Sequence, residues 1–484
     1  MAKENKQELA ITVLKEEDMS EWYTQVIQKA DLIDYTKVSG CVVYKPRSYE
    51  LWEAVRDIVD YRIKKSGVKN CYFPIFIPES LLTKEEEHIE GFAPEVAWVT
   101  HGGDTKLGER LAVRPTSETI MYDSFSKWVQ SYRDLPLRLN QWSNVVRWEF
   151  KHATPFIRGR EFLWQEGHTL FETKEEALDE VHEILDYYRE IYEDYMAIPV
   201  NKGRKSIGEK FAGADYTSTV ETFLVDGKSV QGATSHYLGQ NFSKSFDVTF
   251  LDKNQKKQYP HTNSWAITTR SLGVMIMAHG DSKGIIIPPK LAVEKLVIVP
   301  LFFKGKEDKV LETLERIKSD LDEFNPIIDD RKEYSPGFKF NEWELKGVPL
   351  RLEIGPRDVD NGTVIITRRD NSEKIEVKIS DLKKEIPKLL ESMHKDMFNK
   401  VEEHIDKNTI EVDNFKDFEK AIKDKKRCLV PWAEDIESEE EIKEKTGAKS
   451  SCIPFKFYDK SLDNVKCFYS GKPATCWVYF AKSH

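Results

Sequence analysis

The chain has 484 residues, 40% of them hydrophobic and 11% aromatic, with 73 Lys+Arg against 83 Asp+Glu for a net charge of −10. That length predicts two to four domains with sizeable cores and excludes a largely disordered chain, while the acidic total argues against a nucleic-acid-binding surface overall and leaves room for a local basic face. No apolar run approaches the ~20 residues of a membrane span, the start "MAKENKQELAITVLKEED" lacks an apolar signal core, and six sparse cysteines do not make a disulfide framework; a cytoplasmic protein with no membrane partner is expected.

Residues 1–45 read as a polar lead-in with a helix around "SEWYTQVIQKADLI". From Arg47 to about Pro288, helical and strand patterns alternate irregularly. "LAVRPTSE", "NVVRWEF", "EFLWQEGHTLFE" and "SWAITTR" read as buried strands, several of them antiparallel. Between them "TKEEALDEVHEILDYYREIYEDYM" is a helix, opened by a Thr173–Glu176 capping box. Its stripe is Ala177, Val181, Ile184, Tyr188 and Ile191. Strands and helices mixed without a βαβ rhythm predict an α+β fold for residues 1–289. After "GIIIPPKLA" the pattern changes. "KLVIVPLF" is a short buried strand, "KEDKVLETLERIKSDLDEF" an amphipathic helix, and "PLRLEIG" and "TVIITRR" are strands joined by a turn at Asp360 to Gly362. This predicts a compact α/β domain over about 290–395. The remainder, 396–484, begins helical and ends in a strand-like tail. Cys428, Cys452, Cys467 and Cys476 crowd there, so a metal site has to be considered.

"RWEFKHATPFIRGREFLWQEGHT" (147–169) sets charged groups among Trp148, Phe150, Phe156, Phe162 and Trp164. Buried charge is costly unless paired or bound. An Arg-x-Glu on a strand, a loop arginine and a strand phenylalanine suit ATP: Arg147 for the α-phosphate, Arg158 for the outer phosphates, Phe162 for adenine stacking. The same spacing also suits a solvated hairpin with surface ion pairs. Likewise Thr-Ser-Glu after Pro115 suits a helix cap.

Further segments give the stretch a context. From about Trp22 to His484 the chain resembles the class II aminoacyl-tRNA synthetases, and among them the prolyl-tRNA synthetases. "GVKNCYFPIF" is similar to motif 1, with Pro74 at its proline, "RWEF…IRGREF" to motif 2, and "SWAITTRSLGVMIMAHGD" to motif 3, with Arg270 as its arginine. "RPTSET", "FLWQEGHT" and "SPGFKFNEWELKGVPLRLEIGPRD" resemble the prolyl group specifically. The resemblance implies an antiparallel-sheet catalytic domain that dimerises through motif 1, an α/β anticodon-binding domain and a small α+β C-terminal domain of the archaeal and eukaryotic type. No independent editing domain fits between His168 and Thr268.

The implied reaction joins proline to tRNA(Pro) in two steps, through prolyl-adenylate made from ATP. The resemblance assigns Arg147, Arg158 and Arg270 to catalysis; Arg147, Glu149, Arg158, Phe162, Gln231, Thr234, Thr268 and Arg270 to ATP; and Phe92, Thr116, Glu118, Arg147, Trp164, Glu166, His168 and His236 to proline. Mg²⁺ would bridge the phosphates, mostly through water. Glu344, Arg351 and Arg357 are the candidates for reading anticodon bases, since a carboxylate and guanidinium groups match guanine edges. Where members of the family hold zinc on cysteines, this chain has Ala433 and Ser438 at the first two positions and Ser470 at another, with Cys452 and Cys467 remaining, so zinc is expected to be absent. His484 stands where the family typically ends in tyrosine. Two rivals are a related synthetase for another small amino acid and a non-catalytic RNA-binding relative; the walls Phe92, Trp164 and His168 favour proline, and the three arginines favour an active enzyme.

Overall fold

A computed structural model of the chain describes residues 10–86, 95–149, 153–303 and 305–484. Phe92 and Phe150 therefore lie outside the described residues. An eleven-stranded sheet organises the molecule. Its strands are β1 (Lys69–Asn70), β2 (Leu137–Val146), β3 (Glu161–Phe171), β4 (Asn201–Arg204), β5 (Tyr216–Phe223), β6 (Lys228–Gly239) and β7 (His261–Thr268) from the first part of the chain. In the five-stranded sheet that follows, β8 (Leu296–Pro300), β9 (Ile327–Ile328), β10 (Leu350–Ile354), β11 (Thr363–Arg368) and β12 (Lys374–Lys378) lie in the order β9-β8-β10-β11-β12. The last strands, β13 (Thr409–Glu411), β14 (Arg427–Trp432), β15 (Lys449–Pro454) and β16 (Cys476–Ser483), rejoin the first sheet, which runs β13-β14-β16-β15-β4-β5-β6-β7-β3-β2-β1.

That continuity is the main departure from the sequence reading. β15 pairs antiparallel with β4 (Ile453 opposite Arg204), and the end of β16 runs parallel to the start of β6. Strands β16, β15, β4, β5 and β6 thus close a ring through successive pairings. Gly203 permits the approach: a Cβ there would lie 2.6 Å from the Ile453 carbonyl oxygen. A bidentate Arg204–Glu434 pair, 230 residues apart, adds to the joint.

Helix α1 (Pro46–Lys65) buries Leu51, Trp52, Val55, Val59 and Ile63. α2 (Glu118–Trp128) follows Pro115 directly. α3 (Lys174–Glu190) has the expected Thr173–Glu176 box, and its stripe packs on the sheet with Ala177, Val181, Ile184 and Tyr188 all at 0% exposure. α4 (Arg270–His279) follows β7 with only Thr269 between them. α5 (Glu307–Asp320) and α6 (Pro336–Lys346) flank the parallel part of the second sheet, and α7 (Leu382–Lys407) runs straight through residue 395.

Three local readings are corrected. "LAVRPTSE" is strand only to Val113, because Pro115 stops the ladder and Ser117 begins a helix. "NVVRWEF" leaves the sheet after Val146, so Arg147 and Glu149 stand beyond the strand end. β10 and β11 do pair antiparallel, but a short helix, Pro356–Asn361, joins them, with Gly362 left-handed at its end in place of a tight turn.

Candidate active site

Register builds the site. In β3 the even positions Trp164, Glu166 and His168 share one face, while Thr169 on the other face donates to Glu180 of α3. Three transverse rows result. Thr217, His236, Ser264 and His168 lie side by side across β5, β6, β7 and β3. Thr219, Thr234, Ala266, Glu166 and Gln141 form the next row, and Thr268, Trp164 and Ser143 the third. Gly167 allows the layer its flatness: a Cβ there would meet the Trp265 ring at 2.2 Å.

Over these rows lies a cavity of about 320 Å³. By their place in the rows and on α2, Thr116, Glu118, Trp164, Glu166, His168 and His236 line one end of the cavity; Arg147, Arg158, Phe162, Gln231, Thr234, Thr268 and Arg270 line the rest. The candidates named from the sequence thus converge, with two exceptions. Phe92 lies outside the described residues, and Glu149 is exposed and does not line the cavity.

Arg147 and Arg270 are each anchored through Nε to a backbone carbonyl. Arg147 Nε donates to Pro115 O (2.9 Å), and its guanidinium stands 5.6 and 5.5 Å from the rings of Phe162 and Trp164. Arg270 Nε donates to Ile157 O (3.0 Å). Burial lowers the pKa of Arg270, and Arg158 and Arg147 lower it further; three like charges facing one cavity call for an anion.

At the other end Thr116 donates to Glu118, and Glu166 accepts from Ser117 and from Gln141 Nε2 (2.8 Å). His168 Nε2 lies 3.2 Å from Glu166 Oε2. Burial pulls the His168 pKa down, but the carboxylates of Glu118 and Glu166 outweigh it and the net direction is upward. His236 goes the other way. Burial, then His168, push it down to about 3, and Thr217 Oγ1 lies 3.0 Å from its Nδ1. Phe211 covers it at 4.8 Å between ring centroids.

Several of these residues escaped the sequence reading. Gln141 and Ser117 orient Glu166, and Thr217 and Phe211 enclose His236. Fully buried Arg114 ties the Phe73 carbonyl (2.8 Å) to the Asn144 carbonyl (2.9 Å), and so fixes Pro115 beneath Arg147. Arg114 and Ser117 had a signal, their place in the "RPTSET" motif; the others had none.

In the second sheet Glu344 and Arg351 meet at 3.0 Å, and Arg351 also pairs with Glu353 (3.0 Å) and lies over Phe340. Arg357 is apart from them, exposed on the helix Pro356–Asn361. In the C-terminal part Ser438 Oγ accepts from Trp432 Nε1 (3.1 Å) and donates to Asp435 O (2.8 Å). Cys467 packs with Cys428 and Cys476, whereas Cys452 belongs to a separate apolar cluster with Leu429, Trp477 and Tyr479. His484 reaches Asp226 (3.0 Å), at the turn between β5 and β6.

An antiparallel sheet with arginines from the motif 2 loop and from the start of the motif 3 helix around one cavity defines a class II aminoacyl-tRNA synthetase core. Residues 98–279 match the tRNA synthetase class II core domain (G, H, P, S and T), 295–389 the anticodon binding domain, and 415–484 the prolyl-tRNA synthetase C-terminal domain. The chain is 48% identical over 487 residues to proline–tRNA ligase 2 of Clostridioides difficile, covering 100% of both, and 47% identical to the cytoplasmic proline–tRNA ligase of Arabidopsis thaliana, over 98% of this chain and 91% of that one. A solved structure of prolyl-tRNA synthetase from Cryptosporidium parvum, complexed with halofuginone and AMPPNP, superposes with a TM-score of 0.94 at 47% identity, over 98% of this chain and 100% of that one. The chain belongs to the prolyl-tRNA synthetase family, the proline–tRNA ligases.

Proposed function

We propose that this cavity carries out the first of the two steps, the attack of the proline carboxylate on the α-phosphorus of ATP, with the following division of labour. A proline oxygen forms the new P–O bond, the bond to pyrophosphate breaks, and no side-chain nucleophile is needed. Arg147 bridges the two anions, Arg158 and Arg270 hold the outer phosphates, and catalysis is by position and charge. Phe162 stacks on adenine, with Gln231, Thr234 and Thr268 lining its surroundings. Glu149 is assigned to accept from the adenine amino group.

Proline's ammonium lies on Glu118 and Thr116, and its ring packs on Trp164 and Phe92. His168, whose pKa its neighbours Glu118 and Glu166 raise against burial, closes this end, while burial keeps His236 neutral beside it. In the second step a terminal ribose hydroxyl of tRNA(Pro) attacks the acyl carbon and AMP leaves. Glu344, Arg351 and Arg357 read the anticodon.

Mg²⁺ neutralises the phosphates when bound. Of the cavity's carboxylates Glu209 is paired with Lys449, and Glu118 and Glu166 cluster with His168 at the proline end, so at the phosphate end metal contact through phosphate and water fits the residues better than a direct carboxylate ligand. Zinc is absent in this reading, because Ser438 is already hydrogen-bonded and Cys452 and Cys467 lie in separate clusters. Exposed Tyr72 in the motif 1 segment and exposed Trp128 against its Phe73 support a homodimer, and six free cysteines support a cytoplasmic protein. Among the described residues no helix is long and apolar enough to cross a membrane. The division at about 289 and 395 into catalytic, anticodon-binding and C-terminal parts is one of function, since α7 spans residue 395 and the C-terminal strands join the catalytic sheet.

The observation that carries the proposal is one cavity with three arginines on one side and the Glu118–Glu166 pair on the other. Mixing the protein with proline and ATP without tRNA tests it. Enzyme-bound prolyl-AMP, detected by mass spectrometry and discharged by tRNA(Pro), is expected; its absence in an active preparation would refute the assignment.

A further inference from the structure

A second hollow, of about 430 Å³, opens where α7, the start of β4 and the C-terminal strands meet. Arg427, the first residue of β14, lines it and is only 3% exposed. A guanidinium this deep is ordinarily paired with a carboxylate. Here Nε donates to Thr409 Oγ1 (3.0 Å), and the plane lies 4.1 Å from the Tyr479 ring centroid. Among the described residues no carboxylate lies within ion-pair distance of Arg427, and neither Nη group has a hydrogen-bond partner. A buried group left this way asks for an occupant.

A second cation shares the hollow. Lys456 makes no ion pair among the described residues, and burial and then neighbouring Arg427 hold its pKa below the ordinary lysine range. Of the four acids in the lining, Glu193 is taken by Arg189 (2.6 Å) and Glu411 by Lys460 (2.5 Å), while Glu402 and Asp406 stand exposed on α7, with no ion pair to either cation among the described residues. Phe398 and Phe457 supply apolar wall.

We propose that this hollow is a binding site for a small organic anion, whose carboxylate or phosphoryl head meets the fork of Arg427 and the ammonium of Lys456 and whose apolar body packs on Phe398 and Phe457. A forked guanidinium takes two oxygens of either head, and the adjacent ammonium adds a point charge. The site is separate from the cavity described above, since no residue lines both. Its occupant would touch the catalytic sheet, α7 and the C-terminal strands at once.

The test uses the full chain with the active site filled by a non-hydrolysable prolyl-adenylate sulfamoyl analogue. Binding of 4-fluorobenzoate and 4-fluorophenyl phosphate is followed by fluorine NMR, with 4-fluorobenzamide as the neutral probe. At least one anion is expected to bind with the analogue present, and the tighter of the two identifies the head. Lys456→Met, at the rim, is expected to weaken it roughly threefold or more, and Arg427→Lys roughly tenfold. No binding of either anion up to about 10 mM would overturn the proposal. So would displacement by the analogue, equal binding of the benzamide, or affinity unchanged in folded Lys456→Met. Should Arg427→Lys fail to fold, the Lys456→Met and benzamide arms decide.

Discussion

Replacing Arg147 by alanine removes a guanidinium whose structural and chemical shares can be separated. Its structural contacts are one hydrogen bond to Pro115 O and two ring contacts, at 5.6 and 5.5 Å. Those are worth about 1 kcal/mol for the bond and roughly 0.5–1 kcal/mol for each ring, so the fold should survive with a melting temperature a few degrees lower. The chemical share is larger. A charged donor aimed at the reacting phosphate contributes roughly 3–4 kcal/mol, or about 10²–10³ in rate. Proline-dependent ATP–pyrophosphate exchange measures it, at saturating substrates and with the fold checked by circular dichroism. Arg147→Lys keeps the charge and loses the fork, and is expected to fall between parent and alanine. A folded Arg147→Ala protein with exchange near the parental rate would refute the bridging role.

Glu344→Ala and Arg351→Ala are expected to impair tRNA charging by about 1–3 kcal/mol each while sparing exchange; because the two side chains are paired, the double variant should cost less than the sum, and equal loss of both half-reactions would make them structural. Stability should fall with pH below neutrality: burial pushes His236 and His279 down to about 3 and His394 to about 4, so the unfolded chain binds more protons below about 6.5 and each site costs about 1.4 kcal/mol per pH unit down to its folded value. Thermal melts from pH 7 to 5 check this, and His236→Asn should flatten the slope; an unchanged slope would contradict the buried neutral imidazole. Gly167→Ala drives a methyl into the Trp265 ring and should cost at least the roughly 1–3 kcal/mol of overpacking together with most exchange activity; a parental melting temperature would show that the layer is looser than described. Elemental analysis after dialysis against chelator should find no stoichiometric zinc, whereas one zinc per chain would overturn the reading of Ser438 and Ser470.

The chemistry was legible where function and periodicity coincide. Trp164, Glu166 and His168 alternate along one strand, so a single strand assignment places all three on one face. Arg147, Arg158 and Arg270 were legible through their motifs. What stayed hidden depends on register between distant strands. Gln141 reaches Glu166 only because β2 pairs with β3 in that frame, and Thr217 reaches His236 by the same logic on β5 and β6. The merging of the C-terminal strands into the catalytic sheet rests on a pairing of residues about 250 apart, which local pattern does not encode. Phe211 sits in a loop with no periodicity at all, and Glu149 was read as a strand residue although β2 ends three residues earlier.

Proline-dependent ATP–pyrophosphate exchange across a panel of amino acids tests the central claim most directly. Proline should support exchange far above every other amino acid, because Trp164 and the Glu118–Glu166–His168 cluster shape one end of the cavity for a small ring bearing a secondary ammonium. Exchange driven better by another amino acid would contradict the assignment of the cavity to proline, and no exchange with any of them would contradict the reaction itself.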